Sequence, residues 1–290
     1  MQRLFANLAE ETAKTYGRVL SADHIPYKIE STDRHFYIDV DPRHRSAACR
    51  AIARYLKKNK SSRANGPGSL SPPAYKTWSA VFVALFLVAV HWAIGPGDIR
   101  LKFVQSFGAD AGHILAGQLF RCVTALLVHT DARHLLSNVF GIVIFGTAVA
   151  SYCGWGVGWL MILLAGAAGN WMTAAWYGQA HLSIGSSTAV FAAVGLSAAL
   201  LSRICSKRYE RSWRSWTPVV GAMALVGMMG AAPHTDFAAH LFGFASGLLF
   251  GLVYNRWFQP AARPMQFFCA VLSAVLVAGC CIWGWANVTT

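Results

Sequence analysis

The feature that most constrains this chain is a series of seven apolar stretches after residue 76. They lie near Thr77–Gly95, His134–Cys153, Gly156–Tyr177, Ser187–Cys205, Pro218–Ala232, Ala238–Asn255 and Met265–Trp285. A helix needs roughly 20 residues to cross about 30 Å of hydrocarbon, and six of the seven are near that length. The fifth is short, and the third is crowded with small residues from Ala165 to Asn170. Composition agrees, with 55% hydrophobic residues, 13% charged residues and a mean hydropathy of +0.41. Soluble domains carry roughly 25% charge, so a soluble enzyme is excluded. Disorder is excluded as well, because it requires low hydrophobicity. The expected class is an all-α polytopic membrane protein.

A small soluble α+β domain is expected ahead of it, over residues 1–60. Ala6 to Leu20 carries apolar residues at helical spacing. Tyr27–Glu30 and His35–Val40 alternate like two short strands around a Ser31-Thr32-Asp33 turn. Asp41-Pro42 opens a second helix, whose apolar face is Ala47, Cys49, Ile52, Ala53 and Leu56. Residues 61–76, rich in Ser, Gly and Pro, read as a linker. A six-helix core is expected over residues 77–255, with a loop and a seventh transmembrane helix over residues 256–290. Between the first two spans, Pro96 to Asp131 is too polar to cross and too apolar for a plain loop. It is expected to form helices lying in the interface.

The net charge is +13, and 14 of the 25 basic residues precede Thr77. Arg203, Lys207, Arg208, Arg211 and Arg214 lie between spans four and five. Arg256 and Arg263 lie between spans six and seven. With seven crossings these segments and the linker share one side, which the distribution of Lys and Arg marks as cytoplasmic. The N-terminus is then cytoplasmic and the C-terminus external. A bacterial inner membrane is the expected location. No reading motif accompanies the charge, so nucleic-acid binding is not expected. The first 25 residues are mixed and charged, unlike a signal peptide. The seven cysteines, Cys49, Cys122, Cys153, Cys205, Cys269, Cys280 and Cys281, contain no CxxC pair and read as small buried hydrophobes.

Polar residues inside spans are costly and therefore functional candidates. His134 and Asn138 open span two, Ser187 opens span four, and His240 lies in the first turn of span six. All four fall in one shallow layer on the external side. A Ser hydroxyl becomes a nucleophile when a base, usually His, takes its proton. A tetrahedral oxyanion then needs donors already in place. His134 and Asn138, four apart, share a helix face and can both donate. The Ser187 N–H at a helix start adds a third donor. Span six carries His240, Gly243, Gly247 and Gly251, small residues at a spacing that lets helices approach closely. Span four offers Ser187, Phe191, Gly195 and Ala199 on one stripe, which would set Phe191 against the His240 ring.

Simpler readings compete. A Ser at a helix start is commonly an N-cap, and a His or Asn in a span is commonly a helix–helix hydrogen bond. Ser183, Ser186 and Ser187 all compete for the nucleophile, and chemistry alone does not choose among them. Asp236, four before His240, reads as a loop residue or N-cap more readily than as a triad carboxylate. Asn170 reads as a structural hydrogen bond. His91, His129 and His134 lack metal-site spacing, so no metal or other cofactor is expected.

Taken together these residues resemble the rhomboid intramembrane serine proteases. Phe120-Arg121 stands where that family usually has Trp-Arg. Arg121-x-x-Thr124, His129 and His134-x-x-x-Asn138 follow. Gly185-Ser186-Ser187-Thr188 falls where the family has Gly-x-Ser-Gly. His240-x-x-Gly243-x-x-x-Gly247 matches its span-six motif. The similarity covers about Thr77 to Asn255.

The resemblance implies Ser187 as nucleophile and His240 as base, without a carboxylate. It implies an oxyanion hole from His134, Asn138 and the Ser187 amide. Phe191, Gly185, Gly243 and Gly247 are implied as supporting residues. The implied architecture is a rhomboid-like six-helix core plus one C-terminal helix. The implied partners are transmembrane protein substrates, cut near the external face at segments with small residues, and membrane lipids. Oligomeric state stays open, a homo-oligomer included. Two departures stand out. Thr188 replaces the usual Gly, and its bulk is expected to narrow the pocket beside Ser187. Phe120 replaces Trp and removes no catalytic group. The alternatives are an inactive rhomboid-like protein that binds membrane clients, and a transporter, for which the sequence shows no inverted repeat.

Overall fold

The computed structural model describes residues 1–8, 10–32, 35–64, 75, 77–208, 213–230, 235–257 and 262–289. The chain divides into two compact units, Met1–Ser71 and Pro72–Thr290.

In the first unit an antiparallel sheet of order β1-β3-β2 is built from β1 (Gln2–Leu8), β2 (Tyr27–Thr32) and β3 (His35–Val40). Helices α1 (Glu10–Ala22) and α2 (Arg45–Ala64) belong to the same unit. The alternation of β3 turns Ile38 and Val40 inward, where they meet Leu20, Ala48 and Ile52. Two expectations change. Residues 6–8 are strand, not helix. Irregular pairing between Arg3 and Leu8 lets both Leu4 and Phe5 pack on the core, which hides the period of two. Helix α2 continues through Ala64, into the stretch read as linker. Residues 65–74 and 76 of that linker lie outside the described residues, as does Asp33 of the expected turn, while its Ser31 and Thr32 belong to β2, paired with Phe36 and His35.

The second unit is helical. Its elements are α3 (Ser79–Ile94), α4 (Gly97–Phe107), β4 (Ala109–Asp110), α5 (Ala111–Leu115), α6 (Arg121–Thr124), α7 (Ala132–Gly141) and α8 (Thr147–Cys153). They continue with α9 (Val157–Tyr177), β5 (Leu182–Ser183), α10 (Ser187–Arg208), α11 (Thr217–Gly230), α12 (Phe237–Trp257) and α13 (Arg263–Thr289). A π-helical turn, Ile142–Gly146, joins α7 to α8 into one rod. Among the described residues five helices are long and apolar enough to cross a membrane: Ala132–Cys153, Val157–Tyr177, Ser187–Ser206, Phe237–Arg256 and Arg263–Val288. The other two expected spans are shorter. Helix α3 has 16 residues and meets α4 at a bend of 119°, and α11 has 14. Outer faces carry exposed Phe82, Leu85, Trp176, Val220 and Leu249, a surface that suits lipid rather than water.

Helix α10 is the axis of the unit, with 67% of its span buried, against 11% for α13. Leu126, Val149, Met161, Ile162, Ala193 and Leu196 form one core around it. Phe191, Val194, Ala198, Val219, Val226 and Phe244 form another.

The segment between α3 and α7 folds into the protein more than it lies along an interface. Ile114, Phe120, Cys122 and Leu126 are buried, while Leu115 and Leu119 remain exposed. Arg121, buried, organises it by donating to the carbonyls of Gln105 at 2.9 Å and Gly108 at 3.1 Å and to Gln118 Oε1 at 2.7 Å. Thr124 donates to the Phe107 carbonyl at 2.7 Å. Asn170, from α9, donates to the Cys122 carbonyl at 2.9 Å.

Gln266 does similar work for α13. Its Oε1 accepts the N–H groups of Gly156 and Val157, each at 2.9 Å, and its Nε2 donates to the Cys153 carbonyl at 3.0 Å. The turn between α8 and α9 thus finds its missing partners on α13, as helix ends in hydrocarbon require. Among the cysteines, Cys122, Cys153 and Cys269 are buried, Cys49 is exposed and the rest are intermediate.

Candidate active site

The site is built from the loop that enters α10. Strand β5 pairs with β4, Ser183 opposite Ala109, which fixes the loop on the segment that Arg121 organises. Gly185 follows with φ +91, and its N–H donates to the Ala125 carbonyl at 2.9 Å. That left-handed backbone suits glycine. A Cβ there would also stand 2.6 Å from His134 Nε2 and 3.0 Å from Asn138 Nδ2. Gly185 thus brings the loop directly against His134 and Asn138 of α7. Asp131 caps α7 by accepting the His134 N–H at 2.9 Å, and that bond foremost lowers its carboxyl below the usual range. Asn138 is buried, and its Nδ2 has no hydrogen-bond partner.

Glycines set how closely α12 approaches α10. A methyl on Gly243 would land on the Thr188 carbonyl, and one on Gly247 on the Ala192 carbonyl. One on Gly251 would sit 2.6 Å from Ala199 Cβ. This glycine row lays α12 along α10 from Thr188 to Ala199. At its head, His240 is buried and stacks on Phe191, with ring centroids 4.3 Å apart and planes 30° apart. Phe191 is one turn from Ser187, so the Ser187–Phe191 stripe faces α12. His240 Nδ1 is buried without a partner, and among the described residues the Ser187 hydroxyl forms no hydrogen bond in this state.

The three competing serines have different surroundings. Ser183 is buried and donates to Asp236 Oδ2. His181 Nε2 donates to the same oxygen at 2.8 Å and lies 3.1 Å from Ser183 Oγ. This looks like a Ser–His–Asp set but cannot act as one. Both partners lie on the single ring nitrogen Nε2, so the imidazole does not bridge them and cannot relay a proton from one to the other. Ser186 is buried and is held to His129 Nε2 through both its N–H and its hydroxyl, each at 3.3 Å. Ser187 alone is partly accessible.

Asp236 caps α12 by accepting the Ala239 N–H at 3.0 Å, and its second oxygen turns to His181 rather than His240. Its capping role was legible in the sequence, but its partners His181 and Ser183 were not. The Thr188 Cγ2 is wedged between α9 and α12, where a methyl on Gly169 would come within 2.7 Å and one on Gly243 within 3.1 Å. The expected narrowing of the pocket is therefore corrected. The methyl of the branched side chain fills the small-residue seam between α9 and α12. Among the described residues no group of three His, Cys, Asp or Glu side chains is placed to hold a metal ion. Residues 231–234, between α11 and α12, lie outside the described residues.

Comparison with known proteins points the same way as the geometry. The family model for the Rhomboid domain matches residues 116–257. The chain is 27% identical over 164 residues to RHOMBOID-like protein 1 of Arabidopsis thaliana, covering 56% of this chain and 41% of that protein. It is 24% identical over 213 residues to Rhomboid-like protease 2 of Toxoplasma gondii, covering 70% and 74%. It is 26% identical over 211 residues to Rhomboid protease GluP of Bacillus subtilis (strain 168), covering 72% and 40%. The chain thus spans less than half the length of the first and third of these proteins.

Proposed function

This chain belongs to the rhomboid family, and from that premise we propose that it is an intramembrane serine endopeptidase with Ser187 as nucleophile and His240 as base. Relatives named as proteases support the family-level reading. The observation that carries the finer one is Asn138 Nδ2, a buried donor with no partner, beside the loop that delivers Ser187. An unpaired buried donor costs about 1–3 kcal/mol. An oxyanion forming at Ser187 would supply its acceptor.

In the proposed reaction, His240 takes the Ser187 hydroxyl proton as Oγ attacks the scissile carbonyl. The Ser187–His240 hydrogen bond forms when substrate enters, as catalytic bonds often tighten only then. Asn138, His134 and the Ser187 N–H at the start of α10 would stabilise the oxyanion. His240 then gives its proton to the departing amine. Water, deprotonated by the same imidazole, releases the acyl group. Stacking on Phe191, in place of a carboxylate, holds the imidazole.

The substrates are proposed to be transmembrane segments of other proteins, cut near the external face with the N-terminal unit in the cytoplasm. The positions of Arg and Lys support that orientation. Helix α11 is the proposed gate. Its Val219 and Val226 cover the Phe191 and Phe244 side of the site, while Val220, Met223 and Met228 are exposed. Cleavage that survives a rigid cross-link between α11 and α7 would remove this part of the proposal.

The test is cleavage of a transmembrane reporter in proteoliposomes, together with fluorophosphonate labelling. Ser187→Ala and His240→Ala are expected to abolish cleavage and Ser186→Ala to retain it. Asn138→Ala is expected to lower kcat by about 10²–10³-fold. No cleavage and no labelling of Ser187 in the wild type would favour the inactive, client-binding alternative.

A further inference from the structure

A cavity of about 590 Å³ opens between α3, α9, α10 and α13, on the side of α10 that carries Ser186. Phe82 and Phe86 of α3, Trp159 and Ile162 of α9, and Ala274 and Ala278 of α13 are among its walls. Its origin lies in how α13 is attached. Near its start α13 is fixed by the three hydrogen bonds of Gln266. Near its end Gly284 lies against Phe107 and Phe120, where a methyl would come within 2.9 Å of either ring. Trp283 and Trp285 sit beside Phe120 and Phe103 there, at centroid distances of 6.3 and 6.2 Å. Between these two anchorages α13 presents Ser273, Ala274, Val277, Ala278 and Cys281 to the cavity, none longer than a valine.

The chemistry of the walls selects the occupant. The hydroxyls that line the space belong to Ser186 and Ser273, and each is already bonded inward, to His129 and to the Cys269 carbonyl. A buried water needs two to four polar partners, and two hydroxyls already bonded inward offer it too few. Native interiors do not leave so large a volume unfilled, and it lies within the range of small-ligand pockets, about 300–1,000 Å³. The lip at Phe82 and Phe86 is exposed on the lipid-facing surface, and α13 is mostly bare along its span. A transmembrane helix is about 10–12 Å across with its side chains and would exhaust this volume within about two turns.

We propose that the cavity binds one acyl chain of a membrane phospholipid, entering past Phe82 and Phe86 and ending against Ser186 and Ala189, behind the helix that carries Ser187. The site is separate from the proposed protease centre. Its occupant would back the turn from which α10 starts.

The test uses the full chain in nanodiscs made with a phosphatidylcholine that carries a diazirine at the end of one acyl chain. After photolysis, adducts are mapped by mass spectrometry. Adducts on Trp159, Ile162 and Ala278 are expected several-fold above those on the outward-facing Leu85, Val220 and Leu249. Adducts at Ser186–Ala189 should appear with a long chain and vanish with one too short to reach them. Ala274→Phe with Ala278→Phe should fill the space and remove the cavity adducts while sparing Leu249. Equal labelling of cavity and outer surface would mean ordinary surrounding lipid and overturn the proposal. So would displacement of the adducts by a transmembrane substrate peptide, which would make the cavity a substrate site. The wild-type chain-length series decides the matter even if the filled variant fails to fold.

Discussion

His129 and Ser186 are joined twice, through the Ser186 N–H and Oγ, both 3.3 Å from His129 Nε2. The opposite nitrogen, Nδ1, faces the Leu127 carbonyl at 3.3 Å, which assigns the proton to Nδ1 and leaves Nε2 as acceptor. The ring is wholly buried. Burial first, and then His134, push its imidazole down to about 3. Between its ordinary value near 6.5 and about 3, the unfolded chain binds a proton that the folded chain does not. Stability therefore falls as pH falls through that window, by roughly 1.4 kcal/mol per pH unit at most. In unfolding measured from pH 6.5 down to 4, His129→Gln should show a shallower loss than the wild type. An unchanged slope would show that this imidazole does not govern the acid sensitivity.

Gly243→Ala is expected to destabilise by about 1–3 kcal/mol, because the added methyl lands on the Thr188 carbonyl and must push α12 away from α10. Gly279→Ala, on α13 with nothing near its Cβ, should be neutral or slightly stabilising by helix propensity. Thermal denaturation in detergent compares the two. Equal losses would mean that helix separation is not set at Gly243.

Asp236 has two tasks that substitution can separate. Asn keeps a capping oxygen for the Ala239 N–H but loses the charged acceptor for His181 and Ser183. Asp236→Asn should leave the melting temperature close to wild type while exposing the loop around residues 178–186 to limited proteolysis. Asp236→Ala should add about 1 kcal/mol of cap loss. Unaltered loop protection in both variants would show that the His181 link does not hold the loop.

Gln266→Leu removes two acceptor bonds and one donor bond from the α8–α9 turn. Leaving those backbone groups unpaired away from water is expected to cost about 1–3 kcal/mol for each. Hydrogen exchange at Gly156 and Val157 should accelerate strongly. If their protection persists, another group has taken the place of Gln266.

The helical character and the glycine row were legible because period and spacing carry them. His240, Gly243, Gly247 and Gly251 can be read as one face without knowing what that face meets. The β1 strand was not legible, because its irregular pairing lets Leu4 and Phe5 both pack inward and spoils the alternation. The shortness of α11 was legible in the short fifth apolar stretch, whereas α3 occupies only Ser79–Ile94 of the expected Thr77–Gly95. Within the candidate site, His134, Asn138, Ser187 and His240 stood out as polar residues in apolar surroundings. His181 did not, because a loop histidine is unremarkable until its partner, 55 residues away, is known. Gln266 carried a usable signal, a polar amide one turn into an apolar span.

The start of α10 leaves little room for evolutionary drift of the proposed nucleophile. Consecutive residues on a helix point about 100° apart. Here the three directions are already allotted: Ser186 toward His129, Ser187 along the stripe that meets α12, and Thr188 into the seam between Gly169 and Gly243. A hydroxyl moved one position either way would change phase and face a different neighbour. Losing Ser187 therefore cannot be rescued by the serine beside it, even though an imidazole stands 3.3 Å from that serine.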